Sequence, residues 1–326
     1  MTANATPPVI DAVAIGRNEG ARLIRCLDSL SAAGLRHVVY VDSGSTDASI
    51  AEAETRSAIV VRLDLAQPFT AARARNAGVA ALPQGDDAPD FIQFVDGDCI
   101  LDPGWIPLAT RFLHANPHAA VACGRRREIA PEASVYNRMI DREWDTPPGL
   151  ARSCGGDALM RAKAFHAVGG FDPRLIAGEE PELCVRLRRA GWQIWRLDAE
   201  MTRHDAAILR LGQWWRRSRR AGHAYAEGAA LHGAPPERHN VAQTRRALIW
   251  GLGLPAAAIM GAMLVHPWLL ALLLVWPAQI LRLWRRDGDL VRAAFLTMGK
   301  IPEALGVLEY RLKRLTGRGG RLIEYK

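Results

Sequence analysis

With 326 residues, 49% of them hydrophobic, the chain can bury a large core, as one large domain with an appendage or as two domains. Its net charge of +8 calls for an anionic partner, for which nucleic acid, an anionic membrane surface and a phosphorylated substrate all qualify. Five widely spaced cysteines (Cys26, Cys99, Cys123, Cys154 and Cys184) include no Cys-x-x-Cys pair, which speaks against a zinc site or a disulfide framework and fits a reducing compartment.

Residues 1–8 are polar and proline-bearing, read as a flexible N-terminus without a signal-peptide pattern. Order is expected from Val9. A strand over 9–15 leads through Gly16-Arg17-Asn18-Glu19-Gly20 into a helix with Leu23, Ile24, Leu27 and Leu30 at helical spacing. A β-branched strand over 37–41 stops at Asp42-Ser43-Gly44-Ser45-Thr46-Asp47 before another helix. Strand, polar loop and helix in alternation predict an α/β layered domain built on a mostly parallel sheet. Ser45, Thr46 or Asp47 can cap the second helix. Asp42, at the strand end, can instead accept from the N–H groups of a nucleobase or from a ribose hydroxyl.

A third strand over 60–63 precedes an alanine-rich helix over 69–78 that carries Arg73 and Arg75. Two apart on a helix, these arginines point in different directions, so at most one faces a site, where a guanidinium suits a diphosphate. The buried run 91–95 then ends abruptly in Asp96-Gly97-Asp98. Residues two apart on a strand project to the same side, so both carboxylates can converge, and Gly97 lets a ligand approach the backbone. Two hard carboxylates at the carboxyl end of a strand suit a divalent cation that carries phosphate oxygens, although Asp-Gly is also ordinary turn chemistry.

Beyond this point a short strand is expected at 121–124, with Arg125-Arg126-Arg127 as a solvated basic face, a helix over 134–144, and a glycine loop, Cys154-Gly155-Gly156-Asp157, running into a strand. Glu179, Glu180 and Glu182 open another helix. Acids are favoured there by the helix dipole, yet one of them beside a metal-bound diphosphate can also remove the proton from an attacking hydroxyl.

Asn18-Glu19, the Asp42 to Asp47 loop, Asp96-Gly97-Asp98, Gly169-Gly170-Phe171-Asp172 and Gly178-Glu179-Glu180-Pro181-Glu182-Leu183 occur in the order and approximate spacing of family 2 glycosyltransferases, which the chain resembles over residues 9–205. The resemblance implies a GT-A fold and a nucleotide-sugar donor lying over the first half of the domain. Asn18, Glu19, Asp42, Ser43, Arg73, Arg75, Asp96, Gly156 and Asp157 would line its site. Asp98 and Asp96 would hold Mn2+ or Mg2+ on the diphosphate. Glu180, or its neighbour Glu179, would be the base that activates the acceptor, with inversion at the anomeric carbon. The chain departs from the family in having Ser43 where a second aspartate is common and Glu179-Glu180 where Glu-Asp is usual. Gln213-Trp214-Trp215-Arg216-Arg217 is similar to the Gln-x-x-Arg-Trp motif of processive members but ends in arginine. It is a candidate acceptor or diphosphate contact, or a basic amphipathic helix on a membrane surface.

Residues 206–246 read as basic linker helices, 247–284 as a hydrophobic hairpin and 285–326 as an amphipathic tail. No residue from 247 to 281 is charged if His266 is neutral, and His266-Pro267 breaks the run near its middle. Arg245 and Arg246 before it, and Arg282, Arg285 and Arg286 after it, predict a transmembrane or re-entrant hairpin with both flanks cytoplasmic. Trp250, Trp268, Trp276 and Trp284 lie in or beside it, as aromatic rings do at membrane interfaces. The expected protein is an inverting glycosyltransferase at the cytoplasmic membrane, its catalytic domain on the cytoplasmic side, acting on a lipid-linked or envelope acceptor. A catalytically silent sugar-nucleotide-binding scaffold and a sugar-nucleotide pyrophosphorylase are the alternatives. Nucleic acid ranks last, because the arginines crowd around the apolar hairpin rather than forming an aromatic-interleaved stripe.

Overall fold

The computed structural model describes residues 7–317. Residues 1–6 of the expected flexible N-terminus and 318–326 of the expected tail lie outside the described residues. The chain divides into two compact units: residues up to Ala133 together with Ile140–Ala207, and Ser134–Met139 together with the chain from Ile208 onward.

The first unit opens with β1 (Ile10–Gly16), α1 (Ala21–Ala32), β2 (Val38–Asp42), α2 (Ser49–Thr55), β3 (Ile59–Arg62), α3 (Ala71–Ala80) and β4 (Phe91–Asp96). These four strands pair in parallel in the order β3-β2-β1-β4. Their central members are largely apolar, with Asp11 and Gln93 among the buried polar exceptions, because helices cover both faces of a parallel sheet. Ala12, Val13, Val39, Tyr40, Val41, Ile92, Phe94 and Val95 are fully buried. The chain steps from β1 outward to β2 and β3, then returns to place β4 on the other side of β1. This reversal of strand order opens a crevice at the carboxyl ends of β1 and β4, the place where open α/β sheets bind ligands.

The chain continues with β5 (Cys99–Leu101), α4 (Trp105–Ala115), β6 (Ala119–Glu128), α5 (Val135–Trp144), β7 (Gly149–Ala151), β8 (Ala158–Arg161), α6 (Ala162–Ala167), α7 (Glu179–Arg189) and β9 (Gln193–His204). Here the pairing is mixed: β8 runs antiparallel to β4 and β6, while β6 and β9 run parallel. Strand β6 is longer than the expected 121–124 and takes in the arginine cluster. The reason is Gly124, where a Cβ would stand 2.7 Å from the Ala199 carbonyl oxygen and 2.8 Å from Trp105. Close backbone approach there goes with a register shift between Cys123 and Arg125, and the strand resumes beyond it.

The second unit contains α8 (Leu211–His232), α9 (Val241–Leu248), a π-helical turn (Ile249–Gly253), α10 (Leu254–Leu264), a 3-10 segment (Pro267–Leu274), α11 (Val275–Asp287), α12 (Leu290–Met298) and α13 (Lys300–Thr316). Helices α8 and α13 cross through Gly222 and Gly306, where a Cβ would collide with the carbonyl oxygens of Glu303 and Arg219 on the facing helix. Two continuous helices, Val241–Leu264 and Pro267–Asp287, are long and apolar enough to cross a membrane, and their apolar surface is almost wholly exposed. The break between them falls at residues 265–266, and Pro255 follows the π turn that precedes α10.

Candidate active site

Loops at the carboxyl ends of β1, β2 and β4 hold the residues that the sequence singled out, and the local chemistry explains their shapes. Asp42 is buried, with Oδ2 accepting from the Gly44 and Ser45 N–H groups at 2.9 Å and Oδ1 from the Tyr40 hydroxyl at 3.2 Å. Burial and the neighbouring Asp42 keep the Tyr40 phenol protonated. Asn18 sits at a positive φ of 55° and latches the two loops together. Its Oδ1 accepts from Thr46 N–H at 2.7 Å, and its own N–H donates to Ser45 Oγ at 2.9 Å. Glu19 pairs with Arg22. Among the described residues the Ser43 hydroxyl is buried without a hydrogen-bond partner in the protein.

The two arginines of α3 part company, as their spacing requires. Arg73 folds back onto the carbonyls of Asp64, Gln67 and Pro68. Arg75 is only 3% exposed, and its Nη1 lies 2.8 Å from Glu179 and 3.0 Å from Glu180 while its Nη2 lies 2.8 Å from Asp96. Gly156 presses against this cluster, and Asp157 is buried beneath it. Asp157 Oδ1 accepts from the Asp96 N–H at 3.0 Å, and Oδ2 accepts from Thr202 Oγ1 at 2.6 Å.

Two further residues belong to the site that sequence reasoning did not single out. Arg126, expected on a solvated face, points inward from β6, 2.8 Å from Asp157 and 3.4 Å from Asp96, with its guanidinium 5.3 Å above the Trp144 ring. The shifted register at Gly124 was not readable from the string Arg125-Arg126-Arg127. The second residue is His204, at the end of β9. Cys99 pairs with His204 in the antiparallel β5–β9 ladder, which sets the imidazole Nε2 3.3 Å from Asp98 Oδ1. A histidine immediately before Asp205 at the close of a strand was the available signal.

Asp98, Cys99 and His204 offer three ligand atoms within 4.8 Å of one another. Burial, reinforced by Asp157, pushes the Cys99 thiol well above its ordinary value, and soft sulfur is in any case a mismatch for a hard Mg2+ or Mn2+ ion. Carboxylate and imidazole remain, a donor set that suits Mn2+ and accommodates Mg2+ through added water. On the far side of Arg75, Glu180 is pushed up to about 7 by burial and by the adjacent Glu179, with Arg75 opposing the shift. A buried carboxylate–imidazole pair and a carboxylate poised near neutrality thus lie at the carboxyl end of the same sheet.

Residues 13–168 match the sequence model of glycosyl transferase family 2. Over this stretch, just under half of its length, the chain is similar to the family 2 glycosyltransferases. It is 29% identical over 233 residues to the pre-mycofactocin glycosyltransferase of Mycobacterium tuberculosis, covering 66% of this chain and 46% of that one, so it spans about half the length of this relative. In fold it is similar to the mannosyltransferase PcManGT from Pyrobaculum calidifontis, solved with GDP-Man and Mn2+, with a TM-score of 0.66 at 18% identity over 93% of this chain and 88% of that one. Glucosyl-3-phosphoglycerate synthase from Mycobacterium tuberculosis, solved with Mn2+ and UDP, superposes with a TM-score of 0.51 at 19% identity over 70% of this chain and 81% of its own. These likenesses show the GT-A fold.

The motif at 213–217 lies in the second unit. Gln213 Oε1 accepts from the Leu209 and Arg210 N–H groups and so opens α8, while Trp214 is buried against Tyr136 and Phe295. Arg216 is exposed, and Trp215 and Arg217 are half-buried.

Proposed function

We propose that the chain is an inverting, metal-dependent glycosyltransferase that moves one sugar from a nucleotide donor to a hydroxyl or phosphate of a membrane-associated, lipid-linked or envelope acceptor. The observation that carries this reading is the placement of Glu180 and Asp96 on one guanidinium, with Asp98 and His204 beside them. Asp98 and His204, with Asp96, would hold the cation. A divalent ion there supplies positive charge to the departing diphosphate. Glu180, with its raised pKa, takes the proton of the acceptor hydroxyl, and attack from the face opposite the diphosphate inverts the anomeric carbon. Glu179, more buried and hydrogen-bonded to Arg75, is the weaker candidate for that proton.

The nucleotide lies over Asn18, Glu19, Asp42, Ser43 and the β4 end, with Gly156 and Asp157 beneath the sugar. Arg73 turns away from it, and within the 213–217 motif, proposed as an acceptor or diphosphate contact, Arg216 is the exposed arginine. Two solved proteins of similar fold hold nucleotides with different bases, the sugar nucleotide GDP-Man in one and UDP in the other, which supports a nucleotide donor and leaves the base to experiment. The two apolar helices hold the domain at the cytoplasmic face, where a lipid acceptor is locally concentrated.

Calorimetric titration of detergent-solubilised protein with UDP, GDP and dTDP, each with and without Mn2+, tests the reading. One nucleotide is expected to bind only with metal, and Asp98→Ala and His204→Ala should each weaken that binding by at least about tenfold. Metal-independent binding, or none, overturns it.

A further inference from the structure

The sequence offered Arg75 as a diphosphate contact, but its surroundings say otherwise. The side chain is 3% exposed, and both terminal nitrogens are spent on carboxylates: Nη1 on Glu179 and Glu180, Nη2 on Asp96. Its guanidinium lies 5.6 Å from the centre of the Phe171 ring. On another side stands Gly156, where a Cβ would be 2.6 Å from Arg75 Nη2, 2.9 Å from Asp96 Oδ2 and 3.1 Å from Glu180 Oε1. A guanidinium enclosed in this way acts through its carboxylates rather than on a ligand.

We propose that Arg75 is a positioning residue that fixes the acceptor base Glu180 in register with the donor-side aspartate Asp96. The inference rests on the transferase reading above. Arginine is the residue for the task because its planar fork presents donors at fixed angles, so that two carboxylates held by one guanidinium have a set separation. Lysine carries the charge as a point on a flexible stem and cannot impose that separation. The neighbouring residue reinforces the arrangement. Asn76 Nδ2 donates to the Phe171 carbonyl at 2.8 Å and Oδ1 accepts from the Phe171 N–H at 3.0 Å, which fastens α3 to the loop leading into α7. Helix α3 thereby holds both the base and the segment that delivers it. Asp96 is steadied in turn by Arg126, itself paired with the buried Asp157. Asp96 ends strand β4 and Glu180 lies in the first turn of helix α7, and Arg75 is the side chain that spans them.

The test compares wild type with Arg75→Lys, Gly156→Ala, Glu180→Gln and the Arg75→Lys/Glu180→Gln double variant, measuring Mn2+-dependent nucleotide affinity beside kcat and KM for transfer. Arg75→Lys is expected to keep nucleotide affinity within about threefold of wild type while kcat falls about 30–100-fold. The double variant should be no slower than Glu180→Gln within about twofold, because the two residues act as one unit. Gly156→Ala keeps every charge but drives a methyl group into the fork, and it should show the same split, which covers the case in which Arg75→Lys does not fold. Loss of nucleotide affinity by about tenfold with kcat retained makes Arg75 a ligand contact and overturns the inference, as do multiplying effects of Arg75→Lys and Glu180→Gln. Wild-type kcat in Gly156→Ala overturns it as well. A wild-type protein that binds no nucleotide in the presence of metal instead overturns the transferase reading, a different and distinguishable result.

Discussion

Glu180 and Glu179 are identical in chemistry and adjacent in sequence, and their environments separate them. Glu179 sits at the buried N-terminus of α7, hydrogen-bonded to Arg75, while Glu180 is partly open and has its pKa raised to about 7 by burial and by Glu179 itself. A general base works only in its ionised form. The rate of transfer, read as kcat/KM, should therefore climb as pH rises through about 7 and level off above it. An acidic limb centred near an ordinary glutamate value would place the base elsewhere. Glu180→Gln removes the acceptor of the proton and should lower kcat about 10²–10⁴-fold, with nucleotide affinity nearly unchanged. Much of this candidate site was legible in the sequence because the residues are punctuation: Asp96 and Asp42 end apolar strands, Asp98 stands in the turn just beyond, and acids that open a helix stand out. Arg126 and His204 were hidden for a different reason. Each reaches the site through strand pairing across long sequence separations, Arg126 opposite Thr202 and His204 opposite Cys99, and no local pattern records a register.

Among the elements, the parallel half of the sheet followed from alternation of strand and helix, because buried β-branched runs and Gly- or Asp-rich loops announce it. Strands β5, β7 and β9 were not announced. Strand β9 mixes buried positions such as Ile194, Met201 and Thr202 with half-exposed ones, so neither period dominates. In the second unit the crossing of α8 and α13 depends on two glycines in helix interiors, residues that weaken a helix unless something needs the space. Gly306→Val should therefore destabilise this unit by about 1–3 kcal/mol through overpacking, visible as a lower thermal midpoint in detergent. A midpoint equal to wild type would mean that the helices can separate at no cost.

For the whole molecule, the apolar surface of the helices Val241–Leu264 and Pro267–Asp287 sets the solvent in which the protein must be handled. If they span the bilayer, as proposed, protein reconstituted in vesicles should stay with the lipid on flotation in high salt and leave it only with detergent. Release by salt alone would reduce the attachment to electrostatic contact by arginines such as Arg216, Arg245 and Arg246. Hydropathy made the two long apolar helices readable without tertiary information, since length and apolar composition are local properties of a sequence.

The latch between Asn18 and the loop from Asp42 to Thr46 bears on the heat and entropy of donor binding. Asp42 and Asn18 satisfy the loop from within, so the wall proposed to meet the nucleotide is already formed before any ligand arrives. A preformed wall loses little conformational freedom on binding. Donor association should then be fast and nearly independent of loop closure, and cutting the latch with Asn18→Ala should slow the on-rate while the off-rate changes less.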